Sequence, residues 1–293
     1  MIGKSYFGNI FLMKLKYKSG NTPLIKIKSL SKKFGLDNLY IKDESKNPFG
    51  TFKDRRSEFI IQKGIKENID KFVVVTSGNA GYSLGKFAKG ANIKIVNFVD
   101  KKLNKSIKDK LKKVSYKVIE IDLQQKIWPP EEIMAMAREN DAEVIWDATN
   151  GFHGYHEAYI KILEEIRKKI PNPDFVVVPV GSGEAFCGLH SGIKKFGLKT
   201  KLIGVRVKAK WHSFADKLYT PWTPYESLMK AILKDRRNFI IRLNEREVKQ
   251  MWKEFKDVIN CEPSAVVVFS VFSKLKFKKE DKIILINSGK GFF

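Results

Sequence analysis

The feature that most constrains the fold is a repeated unit in which an apolar β-type run ends in a Ser/Gly turn and passes into a helical segment. Residues 72–76 lead into the turn Ser77–Gly81, and residues 175–180 lead into the turn Gly181–Gly188. A third turn, at residues 288–291, follows the last apolar run. Strands that alternate with helices favour parallel pairing, because each return crosses over through a helix. The sequence therefore predicts an α/β protein with a mainly parallel sheet and helices on both faces.

The other expected elements continue this alternation. Further strands are predicted within residues 21–28, 39–43, 93–99, 117–121, 143–146, 201–207 and 283–286. Helices are predicted at residues 57–69, 129–138, 153–169 and 245–258, after Gly81, and from Gly188 to about Phe196. Residues 210–224, with Trp211 and Trp222, predict an irregular loop, and Asn150-Gly151 marks a domain boundary.

The size and composition indicate a globular protein of one large or two medium domains. The 293 residues of the chain exceed the roughly 250 residues of a usual single core. No apolar run approaches the roughly 18 residues that span a bilayer, and residues 1–18 lack the cleavage site of a signal peptide. Cys187 and Cys261 form neither a disulfide framework nor a zinc-type spacing. We therefore expect a cytoplasmic protein that holds no metal.

The formal net charge of +24 is the strongest oddity of the composition. Such an excess suits a nucleic acid, an anionic membrane or an acidic substrate, but here it is spread over the chain. Its densest run, residues 101–113, predicts a solvated amphipathic helix with Leu103, Ile107 and Leu111 inward. No motif supports nucleic-acid binding, and the Lys- and Ile-rich composition also suits a thermophilic protein.

One lysine stands in a setting that helix chemistry does not call for. Within Asn47–Arg56, Pro48 and Gly50 punctuate a turn, and Thr51 is suited to cap the helix that follows. Lys53 then falls in the first helical turn, where a cation opposes the macrodipole. A surface lysine is the ordinary explanation for any such residue, whereas a functional lysine would explain the unfavourable position.

The turn at Gly181 is the best candidate for an anion site. The N–H groups of a Gly-Ser-Gly turn that opens onto a helix N-terminus can hold a phosphate. The spacing lacks the third glycine of the dinucleotide fingerprint and the Gly-Lys-Ser/Thr end of a P-loop, so it predicts a bound phosphate rather than NAD or ATP. The three turns follow strands, where ligands of open parallel sheets bind, although any one glycine turn can serve tight geometry alone.

Five motifs, in order along nearly the whole chain, resemble the pyridoxal-phosphate (PLP) enzymes of fold type II, the tryptophan synthase β-like family. They are Gly20–Leu24, Asn47–Arg55, Ser77–Gly81, Pro179–Gly183 and Ser288–Gly291. The resemblance implies two open, mainly parallel sheets flanked by helices, with the cofactor between two domains. It also implies a larger cofactor-binding domain of residues 1–54 plus 151–293, a smaller mobile domain of residues 55–150, and a homodimer.

The same resemblance implies roles for residues of this sequence. Lys53 would hold PLP as a Schiff base and move protons at the substrate α-carbon, and Phe52 would line the surroundings of the ring. Asn79 would bind the ring hydroxyl, and Ser288 would face the ring nitrogen. The amino-acid substrate would be bound by Thr76, Ser77, Gly78, Asn79 and Ala80. The cofactor phosphate would be cradled by Gly181, Ser182, Gly183, Glu184 and Ala185.

The motifs also imply a reaction class. A hydroxyl at Ser288 can bind a neutral pyridine nitrogen, which makes a weaker electron sink and suits β- or γ-elimination or replacement rather than transamination. Phe52 before the lysine and Asp54-Arg55 after it look most like threonine synthase, with O-phosphohomoserine or O-phosphoserine as the type of substrate. Serine/threonine dehydratase and cysteine synthase stay open as alternative enzymes.

Two residues depart from the family pattern. Phe49 stands where threonine synthases usually carry Thr, and Glu184 places an acid in the phosphate loop. Together with the +24 charge and a chain shorter than most threonine synthases, Glu184 motivates a competing hypothesis. This is a catalytically inactive PLP-fold protein that acts as a basic nucleic-acid or partner-binding module.

Two further features are weaker. Glu262-Pro263-Ser264 resembles another family stretch near the cofactor. His153 and His156 have ligand spacing on one helix face, but no third ligand is evident and packing is the expected role.

Overall fold

The computed structural model describes residues 15–124, 128–144, 154–208, 210, 213–220 and 223–291. Its strands are β1 (Leu24–Lys26), β2 (Asn38–Asp43), β3 (Lys71–Val75), β4 (Lys94–Asp100), β5 (Lys117–Ile121), β6 (Glu143–Val144), β7 (Phe175–Pro179), β8 (Lys201–Val207), β9 (Phe239–Leu243) and β10 (Lys282–Asn287). Its helices are α1 (Lys28–Phe34), α2 (Lys53–Glu67), α3 (Asn79–Ala88), α4 (Lys105–Lys112), α5 (Pro130–Glu139), α6 (Ile160–Arg167), α7 (Glu184–Lys195), α8 (Glu226–Leu233), α9 (Glu245–Phe255), α10 (Pro263–Val266) and α11 (Val271–Lys274). Short 3-10 turns lie at Glu44–Lys46, Tyr155–Tyr159, Asp216–Leu218 and Val267–Ser270.

The larger sheet has six strands in the order β1-β2-β10-β7-β8-β9. β1 pairs antiparallel with β2, whereas the other pairs are parallel. The last strand of the chain, β10, lies between β2 and β7, so that Leu285 is in register with both Ile41 and Val177. This placement brings the residues that follow β10 next to those that follow β2 and β7.

Both faces of the larger sheet are covered, which explains why its central strands read as continuous apolar runs. Val177 and Leu285 pack in one buried cluster with residues of α9 and α10. Val176 and Val178 belong to a second cluster with residues of α6, α7 and α8. The alternation along β7 follows from the two-residue period of a strand.

The smaller sheet has four parallel strands in the order β5-β4-β3-β6. Phe72 of β3 and Ile95 of β4 pack with α2 and α3. Val73 and Val96, one position along each strand, pack with α5 on the opposite face. The predicted α/β class, with two sheets flanked by helices, is confirmed. Within the described residues, no helix has the length and apolar character needed to cross a membrane.

Some element predictions are corrected. Residues 153–169, predicted as one helix, are a 3-10 turn at Tyr155–Tyr159 followed by α6, and His153 lies outside the described residues. The main chain of this turn packs directly on α7, where a Cβ on Gly188 would run into the carbonyl oxygen of His156. Close backbone packing therefore takes precedence over the helical pattern here.

Other elements differ in extent or were missed. The helix predicted at residues 57–69 is α2, and Leu103 precedes α4 instead of lying in it. The helices α1, α8, α10 and α11 and the strand β9 were not predicted. The Phe239–Leu243 strand is at a sheet edge, where its first three residues are only partly buried, Arg242 is exposed and Leu243 is buried. The end of the strand predicted at residues 143–146, the boundary at Asn150-Gly151, the leader analysis of residues 1–14, and Trp211 and Trp222 lie outside the described residues.

Candidate active site

Lys53 is the first residue of α2, and its position is set by contacts with the end of β10. The N–H of Phe52 donates to the carbonyl oxygen of Ser288 at 2.9 Å, and Thr51 forms an isolated bridge with Gly289. The N–H of Lys53 donates to Oγ1 of Thr51 at 3.3 Å. The predicted start of the helix near Thr51 is thus correct to within a residue, and two distant motifs meet at Lys53.

The preceding turn needs its glycine. Gly50 has a φ of +79°, and a Cβ there would lie 2.7 Å from Cε of Lys290. The N–H of Gly50 donates to the carbonyl oxygen of Asn47 at 3.0 Å. Only a residue without a side chain meets both requirements without strain, so the turn delivers Lys53 to one point.

A cavity of about 300 Å³ lies where the turns after the strands converge. Most residues predicted for the site line it: Phe52, Lys53, Thr76, Ser77, Asn79, Ala80, Gly181, Ser182, Gly183, Glu184, Ala185 and Ser288. Gly78 is the predicted residue that does not line it. The cavity also has lining residues that sequence reasoning missed, above all Arg56, Lys217 and Tyr225.

The turn between β3 and α3 is closed by one threonine. Oγ1 of Thr76 accepts from the N–H of Gly78 at 2.9 Å and from the N–H of Gly81 at 3.2 Å. Gly81 has no room for a side chain, because a Cβ would lie 2.7 Å from Cγ2 of Thr76. The turn therefore presents the N-terminal amides of α3 at the cavity, where a carboxylate can accept from them.

The turn between β7 and α7 has the form of a phosphate cradle. Gly183 has a φ of +90°, and a Cβ there would lie 2.8 Å from Cε of Met229. The hydroxyl of Thr223 donates to the carbonyl oxygen of Ser182 and anchors the turn. α7 begins immediately afterwards, so its first amides have no partner within the helix and can donate to a phosphate. These residues fit the phosphate of PLP.

Ser288 is fixed at the end of β10, 4% exposed and in the cavity wall. The neighbouring Gly289 accepts at its carbonyl oxygen from the N–H of Glu262 at 2.9 Å. A hydroxyl at this place can donate to or accept from a ring nitrogen without carrying a charge. The residue type therefore fits the pyridine end of PLP.

Asn79 is held by a buried acid. Its Nδ2 donates to Oε1 and Oε2 of Glu262 at 3.4 and 3.3 Å, and Nζ of Lys217 lies 3.5 Å from Oε2 of the same residue. Burial raises the pKa of Glu262, although the Lys217 charge acts in the opposite direction. Glu262 was recognised only through the Glu-Pro-Ser resemblance. Lys217 lies in the stretch predicted as an irregular loop, where no sequence signal singled it out.

Glu184 points at Lys53. Its Oε2 lies 3.1 Å from Nζ of Lys53 and its Oε1 lies 2.6 Å from Nε of Arg56. Burial lowers the pKa of Lys53, and Glu184 counteracts the shift. Burial acts to raise the pKa of Glu184, but the charges of Arg56 and Lys53 outweigh it, so that this pKa is lowered. The acid in the turn after β7 thus lies beside two basic side chains.

Phe49 is not among the residues that line the cavity. Its ring packs against Tyr17 and Phe87, with centroids 4.9 and 5.4 Å apart. Its N–H donates to Oδ2 of Asp54 at 2.6 Å. The departure at position 49 therefore belongs to the packing of the turn before α2 on Tyr17 and α3 and not to the cavity wall.

His156 is buried, and its ring lies 5.9 Å from that of Tyr225. Among the described residues there is no cluster of three or more His, Cys, Asp or Glu side chains arranged to hold a metal ion.

The sequence and the fold both match those of known PLP-dependent enzymes. The profile of the family described as pyridoxal-phosphate dependent enzyme matches residues 15–289. Serine racemase from Dictyostelium discoideum is 21% identical with a TM-score of 0.77, and the match covers 93% of this chain and 93% of that chain. O-acetylserine dependent cystathionine beta-synthase from Helicobacter pylori is 20% identical with a TM-score of 0.76, covering 93% of this chain and 94% of that one. Diaminopropionate ammonia lyase from Escherichia coli, solved with an aminoacrylate-PLP intermediate, is 17% identical with a TM-score of 0.77, covering 94% and 85%. These structures share the fold described above.

Proposed function

This chain belongs to the pyridoxal-phosphate dependent enzyme family, and from that premise we propose that it is a lyase or synthase acting on a hydroxy-amino-acid derivative by β- or γ-elimination or replacement. One observation carries the proposal. The side chain of Lys53 lines the same cavity as the Gly181–Gly183 turn and Ser288. PLP needs an amine for its Schiff base, an anion cradle for its phosphate and a partner for its ring nitrogen, and these residues can supply all three.

Each contact has its own residue in the proposal. Lys53 holds the cofactor covalently, with Phe52 beside the ring. The backbone of Gly181–Ala185 binds the phosphate at the N-terminus of α7. Asn79 binds the ring hydroxyl, and its amide is oriented by Glu262. The substrate carboxylate is received by the turn from Thr76 to Ala80, at the N-terminus of α3.

When bound, PLP supplies an electron sink that stabilises negative charge at the substrate α-carbon. Lys53, once free of the cofactor, takes the proton from that carbon, since burial lowers the pKa of its amine and so favours the basic form. Ser288 binds the ring nitrogen without providing a charge, which weakens the sink. A weaker sink favours departure of a group from the β- or γ-carbon over transamination.

For the substrate we propose a threonine synthase-like choice, an amino acid of the O-phosphohomoserine or O-phosphoserine type. Two cations besides Lys53 line the cavity, Arg56 beside Glu184 and Lys217 beside Glu262, and cationic side chains attract a phosphate ester. An O-acetyl or unmodified hydroxy-amino acid, as in cysteine synthase or serine/threonine dehydratase, would not need them. The leaving group therefore distinguishes these enzymes.

The proposal extends to the organisation of the protein. Residues 55–150 form a smaller domain that closes over the cavity, and the larger domain comprises residues 1–54 and 151–293. The protein works as a cytoplasmic homodimer, and its Lys-rich composition suits a thermophilic source.

The cofactor is tested first. Purified protein mixed with PLP is expected to develop the absorbance of a lysine-linked cofactor, and borohydride is expected to fix PLP on Lys53. Lys53→Ala is the control and should show neither. Absence of both signals in the wild-type protein would contradict the proposal. If the protein instead bound RNA or DNA with steep salt dependence and turned over no amino acid, the +24 charge would indicate the inactive basic module.

The substrate is tested next with a panel of O-phospho-, O-acetyl- and free hydroxy-amino acids. Release of phosphate, acetate or ammonia is measured for each compound. Phosphate release from an O-phospho compound, well above any turnover of the other two groups, is the expected result. Preference for O-acetylserine or for free serine and threonine would assign the alternative enzymes.

A further inference from the structure

Glu184 is a buried acid where the proposed mechanism requires only backbone amides. Its side chain is 2% exposed. Four groups approach its carboxylate: Nζ of Lys53 at 3.1 Å, Nε of Arg56 at 2.6 Å, and the hydroxyls of Tyr225 at 3.2 Å and Tyr159 at 3.5 Å. The acid is therefore fully engaged and aimed at the lysine, away from the amides of the turn.

Glu184 lies between two basic side chains, Lys53 and Arg56. A buried charge without a partner is strongly unfavourable, so Glu184 is ionised only because both cations lie beside it. In turn, the Glu184 carboxylate is the group that favours a charged amine at Lys53.

We propose that Glu184 is a positioning residue for Lys53: its carboxylate fixes the ε-amino group at the cavity wall and stabilises the ammonium that forms when the amine, free of the cofactor, has taken up the α-proton. This inference rests on the proposed function, in which Lys53 carries PLP and moves the α-proton. An amine that is tethered in this way stays within reach of the substrate carbon during turnover instead of rotating away.

The groups around Lys53 act in different directions. Glu184 on α7 favours the ammonium form, and Arg56, one turn along α2, disfavours it. Other titratable groups that face the cluster are the phenols of Tyr155, Tyr159 and Tyr225 and the thiol of Cys187, whose pKa burial and the Glu184 charge raise to about 12. Burial raises the pKa of Tyr159 well above its usual value, so this phenol is neutral at working pH. Burial is thus the largest influence on the pKa of Lys53, and Glu184 and Arg56 shift it further in opposite directions.

A purely structural role makes a different prediction. If the Arg56–Glu184 pair served only to tie α2 to α7, removing either partner would reduce stability in the same way. A purely structural role would not require the two substitutions to shift the pKa of Lys53 in opposite directions. The positioning role instead requires that the two substitutions move the pKa of Lys53 in opposite directions.

The test uses the full chain without cofactor. The protein is labelled with trace acetic anhydride at a series of pH values from about 6 to about 11, a range that brackets a lysine titration. Mass spectrometry of the Lys53 peptide gives the apparent pKa of that amine. In Glu184→Gln it is expected to fall by about one pH unit or more, and in Arg56→Gln it is expected to rise, as a neighbouring charge requires. Glu226→Gln removes an exposed partner of Lys230 on α8 and should leave Lys53 unchanged.

An unchanged Lys53 profile in Glu184→Gln, or shifts of the same sign in both variants, would overturn the proposal. If Glu184→Gln does not fold, as judged by circular dichroism, Arg56→Gln decides alone, because a fall or no change there contradicts the role. The labelling measures the apparent pKa of the Lys53 amine and does not depend on turnover. A wild-type protein in which borohydride fixes no PLP would therefore reject the proposed function while leaving this measurement intact.

Discussion

Oδ1 of Asp54 accepts a hydrogen bond of 2.6 Å from the hydroxyl of Ser83. This contact joins the helix that begins with Lys53 to the helix that begins with Asn79. Asp54 is fully buried, and Ser83 also contacts Ser57 at 2.8 Å between the hydroxyl oxygens. The relative placement of the two proposed cofactor residues thus depends on a buried carboxyl group.

The stability of the fold is expected to depend on the protonation of Asp54. Burial raises the pKa of Asp54 from 3.8 to about 7, against the hydrogen bonds from Ser83 and from the N–H of Phe49. The folded state therefore binds more protons than the unfolded state between these two values. The stability that this group contributes is present below pH 4 and is lost as the pH rises towards about 7, at a slope of at most about 1.4 kcal/mol per pH unit.

Urea unfolding at several pH values checks this prediction. Asp54→Asn should lose the contribution and give a flatter profile over that window. Ser83→Ala removes a hydrogen bond to the ionised form of Asp54, so it should raise the pKa of Asp54 further. The free energy of unfolding should then fall further by neutral pH than in the wild-type protein. Wild-type and Asp54→Asn profiles of equal slope would contradict the assignment.

The phosphate turn is expected to tolerate no side chain at position 183. In Gly183→Ala the new Cβ meets Met229 and the backbone is held at φ +90°. The turn must shift, so affinity for PLP should fall by about tenfold or more, equivalent to about 1.4 kcal/mol. Affinity for pyridoxal, which lacks the phosphate, should change far less.

Gly197→Ala is the matched control. Gly197 also has a positive φ, +61°, but no atom lies within 4 Å of its Cβ position. This variant should lose about 1 kcal/mol of folding stability and keep its PLP affinity, measured by fluorescence titration. An equal loss of PLP and pyridoxal affinity in Gly183→Ala would argue against a phosphate cradle.

Glu262 is expected to contribute to PLP binding through Asn79. Glu262→Gln keeps the shape of the side chain but removes the charged acceptor of the Asn79 amide. A hydrogen bond to a charged group contributes about 1.5–3 kcal/mol. Affinity for PLP should therefore fall by at least about tenfold, as measured by equilibrium titration.

The control for this change is Glu247→Gln in α9. Glu247 forms a capping box with Asn244 at the protein surface, so this variant should lower stability slightly and leave PLP affinity unchanged. Wild-type affinity in Glu262→Gln would exclude a positioning role for the acid.

A buried ion network beneath the site is expected to control acid stability. Glu165 accepts from Nη1 and Nη2 of Arg55 at 2.7 and 2.9 Å and pairs with Lys42. Burial acts to raise the pKa of Glu165, but the bonds from Arg55 and Lys42 hold it at about 2. The stabilisation is complete above the unfolded value of 4.5 and is lost as the pH falls towards 2.

Glu165→Gln should destabilise the protein by about 3 kcal/mol at neutral pH and make it less sensitive to acid, as read by urea unfolding. Glu254→Gln removes the exposed pair with Lys33 and should cost no more than about 1 kcal/mol. Equal effects of the two substitutions would contradict the buried network.

Local sequence patterns account for much of the fold. The runs at β3, β7 and β10 are apolar on both faces, so they read as buried strands, and their Ser/Gly turns mark where each one ends. β9 was missed because an edge strand is only partly buried. The 3-10 turn at Tyr155–Tyr159 was missed because packing on Gly188 decides its geometry.

Some residues of the candidate site can be recognised in the sequence, whereas others can be found only in the structure. Lys53, Asn79 and Ser288 stand in motifs that can be read in sequence, and all three line one cavity. Arg56 and Lys217 carry no motif, since a lysine or arginine in a chain with 56 such residues gives no signal of its own. Phe49 departs from the family pattern, yet its ring packs against Tyr17 and Phe87 and does not line the cavity.

The stretch around Lys53 by itself determined that a turn leads into a helix with a lysine in its first turn, because turn and capping preferences act between neighbours in the chain. Only the tertiary structure decided what that lysine meets. Glu184 lies 131 positions away, and no local preference encodes a contact across that separation. Sheet topology brings the ends of β7 and β10 to α2, and burial of the assembled groups then gives Lys53 an acid as its partner.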